Sequence, residues 1–403
     1  MCESESLRHF FDLGDQPLAN SLLRDTASFA SEKRFPLGLV FCENCNLVQL
    51  SHVVDPRLLF VHDYVYLSSG IPSSLHFTGY AEEMRARFLP DTGKFVIEIG
   101  SNDGHLLYLI KQYGVQVLGV DPAENVAAMA NERGVMTRAE FFGEATAQKI
   151  ADEFGQADVI IGNNVVAHID DHHDLMKGVV SLLSPQGVFV FEAPYLGDMF
   201  DQLAFDSVYH EHMSYLAVKP LNKLLTQYGL ELFDVKPFPV QGNSLRYYAA
   251  RPGTYAIEES VGRYSALERM RGFDNFSSYQ KLAKSVEALR EDIKGTLLRL
   301  KREGKRIAAY GAPARGNTLL NYFGIGRSVL DFATETLPSK IGKFTPGTHI
   351  PIVDISWARQ NPPDYYFLLA WPYKDIILQK EKDFIAKGGK FIMPVGGERV
   401  IPK

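Results

Sequence analysis

The sequence predicts an α/β protein in three parts, because strand-like and helix-like segments alternate over most of its length. Between residues 76 and 250, apolar strands alternate with amphipathic helical stretches, a pattern typical of a parallel sheet covered by helices. A second alternation follows a long charged helical region. The first part instead contains short strand-like pieces separated by turn residues. We therefore expect a small N-terminal module (1–75), a central α/β domain (76–250) and a second α/β domain (251–403).

The composition is that of a globular protein with more than one core. The 403 residues are 46% apolar and 22% charged, which excludes wholesale disorder, and the chain is longer than one core usually organises. The net charge of −6 argues against nucleic-acid binding as the main activity. No apolar run reaches about 18 residues, and the N-terminal sequence is acidic. We therefore expect a cytoplasmic protein without a signal peptide or membrane segment.

The N-terminal module contains all three cysteines of the chain. Cys42 and Cys45 form a C-x-x-C pair at the end of the strand-like stretch 34–42, and Cys2 lies alone near the start. Three cysteines are too few for a disulfide framework. The C-x-x-C pair is typical of a zinc site, although a redox-active or an incidental pair has the same spacing.

The strands of the two α/β parts are recognised by their apolar runs and by the helical stretches that follow them. In the central domain they are predicted at residues 95–99, 117–120, 159–161 and 188–191. Residues 256–303 are charged, with apolar residues at helical spacing, and predict a helical region that ends at Gly304. The strands of the last domain are predicted at residues 306–310, 329–332, 365–369 and 390–394.

The first central strand leads into a turn with the composition of a ligand-binding loop. Glycine lets the backbone approach a ligand, and acidic or amide side chains can accept hydrogen bonds from it. The turn differs from the dinucleotide pattern G-x-G-x-x-G, and an acidic residue before the first glycine is more typical of an S-adenosylmethionine site than of an NAD site. The candidate residues of this turn are Glu98, Gly100, Asn102, Asp103 and Gly104.

Two later strand ends carry polar groups that we expect in the same site. Asp121, followed by Pro122, ends the second strand about 20 residues after the turn, where a carboxylate of nucleotide-binding α/β folds accepts hydrogen bonds from ribose hydroxyls. Asn163 and Asn164 follow the strand predicted at 159–161, on the sheet edge where such folds bind their ligands. The central domain is therefore predicted to bind a nucleoside-bearing cofactor.

Residues 209–212 (Tyr-His-Glu-His) form the densest group of ionisable side chains in the central domain. Such a group can place a general base beside its orienting partner. A His-x-His metal site is the alternative, although the H-E-x-x-H spacing of zinc proteases is absent. His168, which follows the strand predicted at 159–161, is a second candidate, and a lone histidine there is more often a packing residue.

A third candidate site lies in the C-terminal domain, where residues 309–318 follow a strand and open a helix. Helix N-terminal amides together with an arginine favour a phosphate group. Simple turn glycines and exposed lysines are the alternative interpretation. The candidate residues are Tyr310, Arg315, Asn317 and Thr318, with Lys340 and Lys343 from a later glycine-containing stretch.

Five motifs occur in an order that matches one enzyme family. They are residues 12–20 (DLGDQPLAN), 64–69 (YVYLSS), 98–104 (EIGSNDG), 163–168 (NNVVAH) and 209–212 (YHEH). Together they resemble the S-adenosylmethionine-dependent sugar C-methyltransferases, which methylate C-3 of nucleotide-linked 4-keto deoxysugars for antibiotic and lipopolysaccharide pathways. The resemblance covers nearly the whole chain, including residues 310–318.

The resemblance implies a role for each part of the chain. The central part would be a Rossmann-like methyltransferase domain that binds S-adenosylmethionine, and the N-terminal module would bind zinc and contact the substrate. The C-terminal α/β domain would bind the nucleotide sugar, which is dTDP- or GDP-linked. The protein would act as a monomer or a homodimer.

The resemblance also implies a zinc module with two C-x-x-C pairs. Cys42 and Cys45 match the second pair, and Cys2 falls where the second cysteine of the first pair is expected. The other cysteine of that pair is missing. We therefore expect a structural zinc held by Cys2, Cys42, Cys45 and one further ligand, for instance His9.

The family pattern carries over to the candidate catalytic residues. It makes His212 the base that removes the proton at C-3, with Glu211 as its electrostatic partner or as the alternative base. A proton alpha to a ketone is acidic only when the enolate oxygen is stabilised, so hydrogen-bond donors are needed beside the base. The groups implied to hydrogen-bond the substrate are Tyr209, Tyr64 or Tyr66, and His168 near the C-4 oxygen.

Three other functions fit parts of the sequence. An N- or O-methyltransferase acting on a small metabolite would use the same cofactor site, but amines need no strong base. An NAD-dependent sugar oxidoreductase is disfavoured by residues 101–103 in the glycine turn. A non-enzymatic zinc-containing binding protein would not need the polar strand ends or the candidate base.

Overall fold

The computed structural model describes residues 1–61, 64, 66–239, 243–396 and 398–402. Three β-sheets organise this part of the chain, with four, seven and six strands. The α/β fold class predicted from the sequence, with a small N-terminal module and a second α/β domain, is confirmed. Among the described residues, every helix is too short or too polar to span a membrane.

The four-stranded sheet of the N-terminal module is antiparallel throughout and has the order β1-β2-β3-β9. Its strand β9 comes from a distant part of the chain, directly after residues 209–212, and pairs with β3. The module is therefore joined by main-chain hydrogen bonds to the chain next to residues 209–212, which we call the histidine-rich segment. Its elements are β1 (Leu7–Pro17), a 3₁₀ helix (Thr26–Ser31), β2 (Arg34–Cys42), β3 (Val48–Leu50), α1 (Pro56–Phe60) and β9 (Ser214–Tyr215).

The seven-stranded central sheet has the order β10-β11-β8-β7-β4-β5-β6. Strands β8, β7, β4, β5 and β6 are parallel, and β11 is antiparallel to both of its neighbours. The carboxyl ends of the parallel strands lie at one edge, where the polar strand ends meet. The elements are α2 (Ile71–Phe88), β4 (Phe95–Ile99), α3 (His105–Lys111), β5 (Gln116–Val120), α4 (Glu124–Glu132), β6 (Thr137–Arg138), α5 (Glu144–Phe154), β7 (Ala157–Asn163), α6 (His172–Leu182), β8 (Leu183–Pro194), α7 (Leu196–Gln202), α8 (Val218–Gln227), β10 (Glu231–Phe238) and β11 (Ser244–Ala250).

The six-stranded C-terminal sheet has the order β14-β13-β12-β15-β16-β17 and is parallel except for β17. Two helices precede it, separated at Gly272, whose φ is 71°. The elements are α9 (Glu259–Met270), α10 (Phe276–Arg302), β12 (Ile307–Tyr310), α11 (Ala314–Phe323), β13 (Ala333–Glu335), β14 (Ile352–Asp354), α12 (Ile355–Gln360), β15 (Tyr365–Leu368), α13 (Lys374–Lys380), α14 (Lys382–Ala386), β16 (Lys390–Ile392) and β17 (Val400–Ile401).

One strand prediction is wrong. Val329, Leu330 and Phe332 are buried, as they would be in a strand, but residues 329–332 are not in a strand, and β13 begins at the next residue. The amides of Val329 and Leu330 both donate to the carbonyl of Gly326, which closes the turn. A run of apolar residues predicts that the segment is buried, but it does not by itself predict a strand. Here the local hydrogen bonds determine the backbone conformation.

One hydrophobic core runs through all three parts of the described chain. Phe11 of the N-terminal module packs edge-on against Phe205 and Tyr322, with ring centroids 6.4 and 5.5 Å apart. Phe205 also stacks on Phe323 of α11 at 5.3 Å. Because Phe205 lies just before residues 209–212, this aromatic cluster fixes that segment at the junction of the three parts.

Candidate active site

The Tyr209 and His212 side chains form a hydrogen-bonded chain in the buried segment between α7 and β9. The Tyr209 hydroxyl lies 2.7 Å from His212 Nε2, and His212 Nδ1 lies 2.8 Å from the Ser207 carbonyl oxygen. A carbonyl can only accept, so Nδ1 carries the proton and donates it. In a neutral ring, Nε2 then presents its lone pair and accepts from the Tyr209 hydroxyl. This arrangement sets His212 up as a proton acceptor.

His168 completes a stack of rings on this segment. Its imidazole lies between Phe60 and His212, with centroid distances of 5.6 and 5.1 Å. Burial lowers the pKa of His168 to about 4. Burial, with the neighbouring His168, also lowers the pKa of His212 well below its usual value. Both histidines are therefore neutral at pH 7.

Glu211 is the buried carboxyl group of the segment. Its Oε1 accepts a 2.7 Å hydrogen bond from Asn20 Nδ2, of the N-terminal module. Burial raises the pKa of Glu211 to about 7, and the Asn20 hydrogen bond opposes that shift. Sequence analysis gave Asn20 no role, and its place at the end of the motif 12–20 is the only signal that could have marked it.

Tyr64 lies between the histidine-rich segment and the cofactor side of the sheet. Its backbone N–H and carbonyl bond the Asn125 side chain at 3.3 and 3.0 Å. Burial and the charges of Glu211 and Tyr209 raise the pKa of the Tyr64 hydroxyl. Tyr66 is 41% exposed, and its carbonyl accepts from Asn102 Nδ2. Of the two tyrosines, Tyr64 is the less exposed one.

The glycine turn after β4 uses backbone conformations that most residues avoid. Gly100, Asn102 and Gly104 have φ values of 65°, 53° and 71°. The Asp121 carboxylate supports the turn, since it accepts hydrogen bonds from the amides of Asn102 (2.8 Å) and Ala123 (2.9 Å). Burial raises the pKa of Asp121 above its usual value.

Several buried oxygens beside this turn have no hydrogen-bond partner among the described residues. They are Glu98 Oε2, Asn163 Oδ1 and Asn164 Oδ1. Glu98 Oε1 does accept a 3.2 Å bond from Asn163 Nδ2, and burial raises the pKa of Glu98 well above its usual value. Unpaired buried acceptors are costly unless a ligand supplies donors. A ligand carrying ammonium, amino and hydroxyl groups, such as S-adenosylmethionine, fits these oxygens.

Two other predicted cofactor residues lie nearby, and Asp103 Oδ1 is a further buried oxygen without a hydrogen-bond partner among the described residues. Asp103 is fully buried, and its Oδ2 lies 3.3 Å from Arg133 Nη2. That ion pair holds the turn against the end of α4. Pro122 lies in the bend directly after Asp121. Their contact with a cofactor stays a prediction.

Replacing Gly100 with alanine should damage the turn in two ways. The positive φ costs about 1–2 kcal/mol for a residue with a Cβ. The added Cβ would also lie 2.9 Å from Val165 Cγ2, which should cost about 1–3 kcal/mol more. Gly229→Ala is the matched control, because its φ is 68° and nothing lies within 4 Å of the added Cβ. Urea unfolding should show a larger loss of stability for Gly100→Ala than for Gly229→Ala. Titration with S-adenosylhomocysteine should show weakened binding for Gly100→Ala only.

The three cysteines converge at one end of the N-terminal sheet. Their Sγ atoms all lie within 4.8 Å of one another, and Cys42 and Cys45 are buried. The expectation that His9 completes this group is wrong. His9 pairs with Val40 in the β1–β2 ladder and its side chain is exposed, so it is not part of the cluster.

Arg315 of the C-terminal domain reaches the histidine-rich segment. Its Nη2 lies 2.9 Å from Oδ1 of the fully buried Asp206, and Trp371 Nε1 donates to Oδ2 of the same carboxylate at 2.7 Å. The guanidinium carbon lies 4.8 Å from the Trp371 ring centroid. The structure thus places Arg315 beside the segment that carries Tyr209 and His212.

The remaining predicted residues of the C-terminal site lie in two groups. Asn317 and Thr318 are buried on α11, and Asn317 Nδ2 donates to the Ala19 carbonyl at 2.8 Å. The Tyr310 hydroxyl donates to Glu381 at 2.9 Å, within the domain. Lys340 Nζ donates to the Ala312 carbonyl and lies 3.5 Å from Glu335, whereas Lys343 is partly exposed.

Three family models match the chain. A putative zinc binding domain matches residues 1–60, a methyltransferase domain matches residues 76–235, and a C-methyltransferase C-terminal domain matches residues 239–396. The C-methyltransferase NovU of Streptomyces niveus is 37% identical over 403 residues, which are 100% of this chain and 96% of that protein. The ubiquinone biosynthesis O-methyltransferase of Azorhizobium caulinodans is 27% identical over 144 residues, or 34% of this chain and 51% of that protein.

Solved structures resemble a smaller part of the chain. The magnesium protoporphyrin IX methyltransferase ChlM from Synechocystis PCC 6803 with bound SAM has a TM-score of 0.34 and 15% identity, covering 45% of this chain and 80% of that one. The N-methyltransferase NodS from Bradyrhizobium japonicum has a TM-score of 0.34 and 14% identity, covering 46% of this chain and 99% of that one.

Proposed function

This chain belongs to the S-adenosylmethionine-dependent C-methyltransferases, and we propose that it methylates C-3 of a nucleotide-linked 4-keto deoxysugar. The observation that supports the substrate class is the hydrogen-bonded chain Tyr209–His212–Ser207, with the buried Glu211 next to it. Removing a proton from carbon needs a base, and a neutral histidine whose lone pair is directed inward can act as that base.

We place the cofactor at the glycine turn of the central domain. Its donors would meet the unpaired oxygens of Glu98, Asn163 and Asn164, and the turn backbone at Gly100 would come close to it. S-adenosylmethionine supplies the electrophilic methyl group when it is bound there. The chain's own part is to hold the substrate carbon in line and to exclude water.

Proton removal is assigned to the histidine-rich segment. The Tyr209 hydroxyl turns from His212 Nε2 to the substrate, and the freed lone pair of His212 takes the proton from C-3. Glu211 is the alternative base, because its pKa of about 7 matches a neutral working pH. Tyr64 and His168 donate hydrogen bonds to the sugar, with His168 at the C-4 oxygen.

The nucleotide portion of the substrate is assigned to the C-terminal domain. Residues at the start of α11 and on the adjoining stretch face the same junction as the base segment, since Asn317 contacts Ala19 and Ala19 precedes the Asn20 that holds Glu211. Backbone amides at the first turn of α11 favour a phosphate group. The residues proposed to line this part are Tyr310, Asn317, Thr318, Lys340 and Lys343.

A methyl-transfer assay with located product tests this function. Purified protein is incubated with ¹³C-methyl S-adenosylmethionine and a dTDP- or a GDP-linked 4-keto deoxysugar. We expect the label on C-3 of one of the two sugars in the carbon NMR spectrum, together with saturable binding of S-adenosylhomocysteine by calorimetry. Label on oxygen or nitrogen, or binding of NAD in place of S-adenosylhomocysteine, would contradict the proposal.

We also propose that Cys2, Cys42 and Cys45 hold a structural zinc ion. Three converging thiols suit zinc, which prefers thiolate ligands in tetrahedral sites. The zinc would fix the turn after β2, because Cys42 ends that strand and Cys45 lies in the turn itself. The methyl-transfer step does not require it.

Cys42→Ser should therefore lose both the metal and stability. Structural zinc sites contribute apparent binding free energies of about 10–16 kcal/mol in small modules, so we expect a loss of several kcal/mol here. His9→Ala should keep the metal, since His9 lies outside the cluster. Metal content by mass spectrometry and the melting temperature are the measurements, and a metal-free wild-type protein with unchanged stability would contradict the zinc site.

A further inference from the structure

The enolate formed at C-3 and C-4 needs a cation that the histidines do not provide. Negative charge develops on the C-4 oxygen as the C-3 proton leaves. His168 and His212 are both neutral at pH 7, so each offers at most a hydrogen bond. A permanent positive charge in a buried site would stabilise the oxygen more strongly than a neutral donor.

Arg315 is a cation that reaches this segment. It comes from α11 of the C-terminal domain and pairs with Asp206, which lies in the short 3₁₀ helix just before Tyr209. The Arg315 side chain is 17% exposed and Asp206 is fully buried, so solvent screens the charge of Arg315 only weakly. Burial raises the pKa of Tyr209 and lowers that of His212, and the positive charge of Arg315 acts on both groups by favouring their deprotonated forms.

The orientation of Arg315 is fixed from two sides. Asp206 accepts from Arg315 Nη2 through Oδ1 and from Trp371 Nε1 through Oδ2. The Trp371 ring also packs against the guanidinium, at 4.8 Å. A guanidinium held by a buried carboxylate and an indole needs little reorganisation when charge develops beside it, which is the arrangement that stabilises transition states.

We propose that Arg315, held by Asp206 and Trp371, is a catalytic residue that stabilises the enolate oxygen. This inference rests on the proposed function, and it replaces the phosphate-binding role expected from the sequence. The C-terminal domain then completes the reaction site as well as binding the nucleotide. No bond to Arg315 forms or breaks: the C-3 proton passes to the base, and the electron pair of the C–H bond delocalises onto the C-4 oxygen.

The test separates proton removal from methyl transfer. Wild-type protein and the variants Arg315→Gln, Arg315→Lys and Trp371→Phe are given S-adenosylhomocysteine and the dTDP- or GDP-linked 4-keto deoxysugar in deuterated water. Loss of the C-3 hydrogen is followed by NMR. We expect Arg315→Gln to slow this exchange roughly 10²–10³-fold, with Arg315→Lys and Trp371→Phe between it and the wild type. Arg299→Gln, which removes an exposed ion pair on α10, should exchange normally.

Folding is checked separately, because Arg315→Gln leaves the buried Asp206 carboxylate without its positively charged partner, with only the Trp371 hydrogen bond remaining. The double variant Arg315→Gln/Asp206→Asn removes both charges and should lose exchange to the same extent while still binding S-adenosylhomocysteine. Normal exchange in both variants, with only a raised KM for the nucleotide sugar, would overturn the assignment and favour a phosphate ligand. If the wild-type protein exchanges the C-3 hydrogen of neither sugar, the proposed function itself would be overturned.

Discussion

His212→Gln is expected to reduce loss of the C-3 hydrogen in deuterated water by roughly 10²–10⁴-fold, the usual contribution of a general base. The amide of glutamine can keep hydrogen bonds to the Ser207 carbonyl and the Tyr209 hydroxyl, but it cannot take up a proton at neutral pH. Proton removal and methyl transfer should therefore fall together, while S-adenosylhomocysteine binding stays unchanged. Deuterium content of the sugar by NMR and the methyl-transfer rate are the two measurements.

His210→Gln is the matched control for this change. His210 lies in the same segment, but its Nε2 points to the Phe35 carbonyl of the N-terminal module at 3.3 Å, away from His212. We expect it to keep nearly wild-type exchange. Full exchange in His212→Gln together with lost exchange in Glu211→Gln would move the base to Glu211.

Glu211→Gln is expected to stabilise the protein increasingly as the pH rises. The pKa of Glu211 is about 7 in the folded protein, against a usual value of 4.5, because burial disfavours its charged form. Below pH 4.5 the carboxyl is protonated in both states and has no such cost. As the pH rises from 4.5 to 7, the unfolded chain loses this proton while the folded protein keeps it, so folding becomes disfavoured by up to about 3 kcal/mol above pH 7.

The free energy of unfolding, measured by urea at several pH values, checks this prediction. The difference between Glu211→Gln and the wild type should be small at pH 4.5 and should grow to about 3 kcal/mol by pH 8. Asn20 can still donate to the glutamine oxygen, so the hydrogen bond is conserved. Glu132→Gln on the exposed side of α4 controls for the chemical change itself. A constant difference across this pH range would mean that Glu211 ionises freely.

The two predictions depend on different kinds of information. His212 was a candidate from the sequence, as were the strands β4, β5, β7 and β8 and the glycine turn after β4. Its tautomer was not, because that depends on the Ser207 carbonyl. The raised pKa of Glu211 also could not be predicted from the sequence. It depends on burial and on Asn20, which lies 191 positions away in the chain.

The pairing of Arg315 with Asp206 is a second contact that could not be predicted from the sequence. Its place at the start of a helix favoured a phosphate ligand, since helix N-termini and arginines both attract anions. In the fold its guanidinium lies against Asp206, 109 positions earlier, and the phosphate role became one of two alternatives. No local pattern contains that contact.

The sequence by itself therefore determined the α/β class, most strands, the glycine turn and the residue types at the candidate site. These follow from hydrophobic period, glycine conformation and strand ends, which depend on neighbours along the chain. Only the tertiary structure decided which of those groups meet, and so which are neutral, charged or held in place. Burial and long-range hydrogen bonds set those properties, because both arise from residues far apart in sequence.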